Sequence, residues 1–106
     1  MLDDSLFASD TLHEREVEVA KGKKVKMHFK ELPAVHFIRF HQDSASEDAE
    51  VRHGAAQRLL AACVCNPDGT PAMTVERAMT LKTGPLNAIF RLVLEVNGSE
   101  APKGND

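Results

Sequence analysis

The chain has no Trp and no Tyr, and its only aromatic side chains with fused or six-membered carbon rings are five Phe. A core built from it is therefore aliphatic, and its surface lacks the usual stacking platform for single-stranded nucleic acid. Only two cysteines occur, Cys63 and Cys65. They stand too close in sequence to staple a fold, so they read as reduced thiols in a cytoplasm. No stretch approaches the ~18 uninterrupted apolar residues of a membrane span. The opening Met1-Leu2-Asp3-Asp4 is acidic and has no apolar run behind it, unlike a secretory signal. There is no G-x-x-x-x-G-K-[ST], G-x-G-x-x-G or G-x-S-x-G motif. Positive charge is not in excess either. The formal charge is −3, which disfavours DNA or an anionic membrane as the main partner.

What is present fits one soluble globular domain. The 106 residues suffice for a single core, with 42% hydrophobic and 27% charged residues. Residues 1–13 show no sustained periodicity and are expected to form a loosely held arm. From residue 14 the pattern changes. Glu16-Val17-Glu18-Val19 and Lys24-Val25-Lys26-Met27-His28-Phe29 alternate polar and apolar side chains, the period of half-buried strands. A β-hairpin over 14–30 follows, turning at Lys21-Gly22-Lys23. A three-residue loop would pair Val19 with Val25 and Val17 with Met27, and would keep every apolar side chain on one face. A hairpin alone is marginal, so that face must rest on helices.

Helices are expected at about 33–42, 45–65, 75–82 and 85–97. Pro33 suits the first turn of the first helix, which carries Phe37, Ile38 and Phe40. Ser44 and Glu47 form a capping-box pattern for the second, whose stripe is Val51, Ala55, Leu59, Ala62 and Cys63. Asn66-Pro67-Asp68-Gly69 is a turn. Thr74 can cap the third helix, and Gly84 can end it in the left-handed conformation. Pro85 can open the fourth, with Leu86, Ile89, Phe90, Val93 and Leu94 on one face and Asn97-Gly98 at its end. Residues 99–106 are polar and are expected to be disordered. The fold class is α+β, an N-terminal β-hairpin packed on a mainly α-helical domain of about four helices in 14–98.

Reactive chemistry finds little support in these residues. Helical cysteines two apart point about 200° from one another and cannot share an ion. No second Cys pair and no H-x-x-x-H spacing accompanies them. His13, His28, His36, His41 and His53 are scattered, and Glu47, Asp48 and Glu50 suit the start of a helix dipole better than an acid–base pair. No catalytic residue, metal ligand or cofactor is expected, and the chain reads as a non-enzyme. Lys21, Lys23, Lys24, Lys26 and Lys30 form a basic run, either a solvated strand face or a docking patch for an acidic partner.

Several segments resemble a known family. They are Phe29-Lys30-Glu31-Leu32-Pro33-Ala34, the run from Leu59 to Gly69, Met79-Thr80-Leu81-Lys82-Thr83-Gly84-Pro85-Leu86-Asn87-Ala88-Ile89-Phe90, and Val93-Leu94-Glu95-Val96-Asn97-Gly98. The most specific is Leu81-Lys82-x-Gly84-Pro85-Leu86-Asn87. In these the chain resembles the tail assembly chaperones of long-tailed phages and prophages, proteins similar in role to lambda's G protein. The resemblance implies binding of the tape measure protein, promotion of tail tube protein polymerisation around it, and absence from the finished virion. It also implies a frameshifted longer form of the same protein. Ala101-Pro102-Lys103 can be encoded as GCC-CCA-AAG, which contains a slippery heptamer. The partner-binding residues expected are Met79, Lys82, Leu86 and Phe90, edging a groove between the last two helices. A Met and an aromatic residue near a Gly-Pro step can repack around a partner. The competing classes are a virion structural subunit and a small DNA-binding regulator. The second is disfavoured because Arg91 is the only positive residue between Leu86 and Val96. Neither nucleic acid nor membrane is an expected partner.

Overall fold

The computed structural model describes residues 2–98. A short 3-10 turn, Asp4–Leu6, precedes strand β1 (Leu12–Ala20) and strand β2 (Lys23–Lys30). Helices α1 (Ala34–Ser44), α2 (Ala49–His53) and α3 (Ala55–Cys63) follow, then the two-residue strand β3 (Val64–Cys65). Helices α4 (Val75–Ala78) and α5 (Thr83–Val96) complete the described chain. The three strands form one antiparallel sheet in the order β1-β2-β3, so the α+β class holds, with the hairpin enlarged by a third strand. The proposed tail at 99–106, including Ala101-Pro102-Lys103, lies outside the described residues.

The core is where the alternating hairpin face meets the helices. Val17 and Phe29 from the hairpin pack with Leu59, Leu60 and Cys63 of α3, Val64 of β3, and Ile89 and Val93 of α5. Phe29, Leu60, Cys63 and Val93 are fully buried. Helix α5 lies along β1, and α3 occupies the centre, touching α1, α4 and α5. Burying a Phe or Leu side chain contributes about 1.5–3 kcal/mol, so these few residues carry much of the folding free energy.

The hairpin register differs from the sequence expectation. Val17 stands opposite Val25, Arg15 opposite Met27 and Glu16 opposite Lys26. The pairing is displaced by two residues, so the faces are preserved while every partner changes. An irregularity between Glu18 and Ala20 absorbs one residue beside the Lys21-Gly22 turn, where Gly22 takes φ +78°. Alternation alone carries no sign of a bulge of this kind. Val25, near the tip, remains 39% exposed.

The helix expected over 45–65 is broken twice. Gly54 interrupts it, with φ −102° and ψ 4°. The Arg58 side chain crosses over this glycine, and a Cβ there would lie 2.5 Å from its Nη1. Arg58 donates to the Val51 carbonyl, satisfying a helix-end acceptor. At the other end Val64 leaves the helix for extended backbone and pairs with Phe29. The Ser44–Glu47 capping box does not form. Ser44 is the last residue of α1 and its hydroxyl donates to the Phe40 carbonyl at 2.8 Å. Asp48 caps α2 instead, accepting from the Glu50 amide at 3.0 Å.

Thr74 does cap α4, accepting from the Arg77 amide at 3.0 Å. Gly84 does not end that helix and has no positive φ; it lies in the first turn of α5. Pro85 needs no amide partner there, so α5 starts two residues before it. Gly98 closes α5 at φ +69°. Pro33 is the cap residue of α1 rather than its first turn. The segment before β1 is tied down by Glu31. Its carboxylate accepts from the Ser9 amide at 2.9 Å and meets His13 Nε2 at 2.9 Å.

Candidate functional site: an apolar groove between helices

The amphipathic faces of α1 and α3 do not close completely on each other. Between them lies a groove of about 390 Å³ whose walls include Val35, Phe40, Ala55, Leu59, Ala62 and, from α4, Val75. Its lining is mainly apolar, and its floor is core. Leu59 and Ala55 are buried, whereas Val35 is 59% exposed and Val75 36%. Along α1, Ile38 stands one turn from Val35 and is 55% exposed. Along α4, Met79 stands one turn from Val75, its amide bonded to the Val75 carbonyl at 2.9 Å, and is 48% exposed. Val35 and Val75 line the groove itself, while Ile38 and Met79 are exposed apolar neighbours one turn away and outside its lining. Scattered exposed apolar residues are ordinary; a set gathered around one concave surface marks an interaction site.

Charge frames the groove on one side. Arg58 Nη2 lies 3.2 Å from Asp43 Oδ2, joining α3 to the end of α1. His36 and Arg39 of α1 also line the groove. The pair ties the two helices together at that end, and Arg39 adds a positive charge to the groove wall.

The four residues proposed from sequence are not gathered into one groove. Met79 lies one turn from Val75 and outside the lining of that groove. Lys82 is the cap residue of α5 and is exposed. It lines a separate shallow hollow with Met73, Arg77, Leu81 and Pro85. Leu86 and Phe90 are partly buried and pack against the core. Phe90 meets Phe40, with ring centroids 5.3 Å apart, so it stands behind the groove wall. The residues that sequence reasoning missed are Val35, Ala62 and Val75. Their signal was faint: Val35 and Val75 each open a helix, where an apolar residue suggests core.

The thiols lie elsewhere and are inert in setting. Cys63 is fully buried, and its Sγ donates to the Lys30 carbonyl at 3.2 Å. Burial pushes its thiol up to about 11, and burial raises Cys65 as well. A raised thiol is protonated at neutral pH and is a weak nucleophile. Among the described residues no cluster of three or more His, Cys, Asp or Glu could hold a metal ion. Among the same residues no helix is long and apolar enough to cross a membrane.

No protein-family model matches this sequence, and no curated protein matches it. One solved structure resembles the fold, that of the bacteriophage HK97 tail assembly chaperone. The TM-score is 0.55 at 19% sequence identity, over 80% of this chain and 85% of that one. At this identity the likeness is one of fold: the chain shares the fold of that protein.

Proposed function

We propose that this protein is a phage tail assembly chaperone that holds the tape measure protein in the groove between α1 and α3. The observation that carries the reading is the apolar groove with Val35 and Val75 exposed at its edge, and Ile38 and Met79 exposed one turn away, on a chain with the HK97 tail assembly chaperone fold. A tape measure protein is a long helical chain whose apolar stripes are uncovered until the tail tube encloses it, and uncovered stripes aggregate. An amphipathic helix laid in an apolar groove buries such a stripe reversibly. Release then leaves the tape measure free for tube subunits to polymerise around it, and the chaperone is left out of the virion. The bound form acts in the host cytoplasm, and a frameshifted longer form would add a second contact for the tube protein.

The chemistry asked of the chain is binding alone. Co-expression tests the reading. The tape measure protein encoded beside this gene should gain soluble yield when this chain is present, and mass spectrometry of purified virions should find tube and tape measure peptides but none from this chain. Finding the chain in stoichiometric amount in virions would favour a structural subunit instead.

A further inference from the structure

The basic run of the hairpin is not used by the groove. Residues 12–30 hold six Lys and Arg against three Glu, although the whole chain is net acidic at −3. Among the described residues Lys26 alone of the five lysines has an acidic partner within ion-pair distance, Glu14 at 3.4 Å. The charge is thus segregated onto the sheet.

The sheet is also incomplete at that place. On the side of β2 away from β1, strand β3 covers only His28 and Phe29. Beyond them the chain turns off: the Asn66 amide bonds to the Thr70 carbonyl at 2.8 Å, and Pro67 has no amide to offer. Residues Lys23 to Met27 therefore have no strand beside them on that side among the described residues. A small cleft lies at the end of β3, with Lys26, Met27 and His28 on one side and Asn66, Pro67 and Ala72 on the other. The two faces of this open edge differ. Val25 and Met27 share the face of Val17, and Lys24 and Lys26 stand on the other. On its filled edge β2 already pairs with Glu16-Val17-Glu18, acidic residues opposite the lysines and Val17 opposite Val25.

We infer that the open edge of β2 at Lys23–Met27 binds an extended peptide segment in which acidic and apolar residues alternate, added as a strand against β2 in line with β3. Backbone hydrogen bonds supply the affinity, and the alternation matches apolar residues to Val25 and Met27 and acidic ones to Lys24 and Lys26. Exposed edge lysines commonly keep other strands away. Here they discriminate, because they repel basic or apolar strands and admit an acidic one. The inference uses the sheet and stands independently of the groove reading.

The test uses the full chain and a fluorescein-labelled synthetic peptide, Thr-Glu-Val-Glu-Val-Glu-Val-Thr. The expected result is saturable binding that weakens with added salt, with amide exchange slowed at residues 23–27. The double variant Lys24→Gln/Lys26→Gln should bind about tenfold more weakly, against an unchanged melting temperature. Val35→Asp in the groove should bind this peptide like the parent chain. A block peptide of the same composition binding equally well would overturn the inference, as would protection that appears elsewhere. So would no saturation at millimolar peptide, which would leave the lysines as edge guards only. Sedimentation showing that the edge is already filled by a second copy, released in the double variant, would assign it to self-association and overturn the peptide reading.

Discussion

The Phe90 ring of α5 lies against the Phe40 ring of α1, centroids 5.3 Å apart and planes tilted by 45°. Phe40 lines the groove on its other side. The contact therefore sets how firmly the groove wall is held. Phe90→Ala should leave a folded protein, because Phe90 is only partly buried and the fully buried core does not include it. Its cost should be about 2 kcal/mol, below the ~3–5 kcal/mol of a fully buried Phe. Chemical denaturation checks the stability, and tape measure binding by the same variant should weaken as Phe40 relaxes.

Asn97 ties the end of α5 to the start of the helical part. Its Oδ1 accepts from the Leu32 amide at 2.6 Å, and its Nδ2 donates to the Val93 carbonyl at 2.8 Å. Asn97→Ala leaves a partly buried amide without its partner, which costs about 1–3 kcal/mol. The variant should melt lower, with hydrogen exchange fastest near Leu32. An unchanged melting temperature would show that water replaces the side chain at no cost.

The buried thiol makes a signed pH prediction. Cys63 has its ordinary value of 9.0 raised to about 11 by burial. A group raised in the folded state holds its proton longer there, so its stabilisation is complete below pH 9 and is lost as pH climbs through 11. Denaturation midpoints should fall over that window in the parent chain and fall less in Cys63→Ala, whose baseline stability is lower. At neutral pH a thiol reagent should modify Cys63 slowly in the folded protein and rapidly in denaturant.

Acid should act first on the N-terminal segment. The Ser9 amide, and after it His13, hold the Glu31 carboxyl below its ordinary value of 4.5. A depressed carboxylate stabilises above that value, and the contribution disappears as pH falls through the lower folded one. Exchange at Ser9 and Thr11 should therefore rise below pH 4.5 while amides of α3 stay protected. Glu31→Gln should show the open segment already at neutral pH.

Much of the architecture was legible because it follows from periodicity. Alternation located the hairpin, and Val17 and Phe29 are buried where alternation put them. Thr74 announced α4 through its cap. What was hidden depends on interactions far apart in sequence. Val64-Cys65 reads as the end of an Ala-rich helix, and only the waiting edge of β2 makes it a strand. Gly54 sits silently in a helical pattern until Arg58 crosses it. The groove was hidden for the same reason. It is a gap between α1 and α3, and a one-dimensional pattern shows faces without showing where two faces fail to meet.

If, as proposed, the edge of the α1–α3 groove grips the tape measure protein, substitutions there must weaken that grip. The most direct measurement is the affinity of purified tape measure segments, by calorimetry, for the parent chain and for Val35→Asp and Met79→Asp. Both side chains are largely exposed, so folding stability should change by no more than about 0.5 kcal/mol. Each variant should lose at least about tenfold in affinity, about 1.4 kcal/mol, at unchanged melting temperature. Equal affinity for the parent and both variants would contradict it and move the binding surface off the groove.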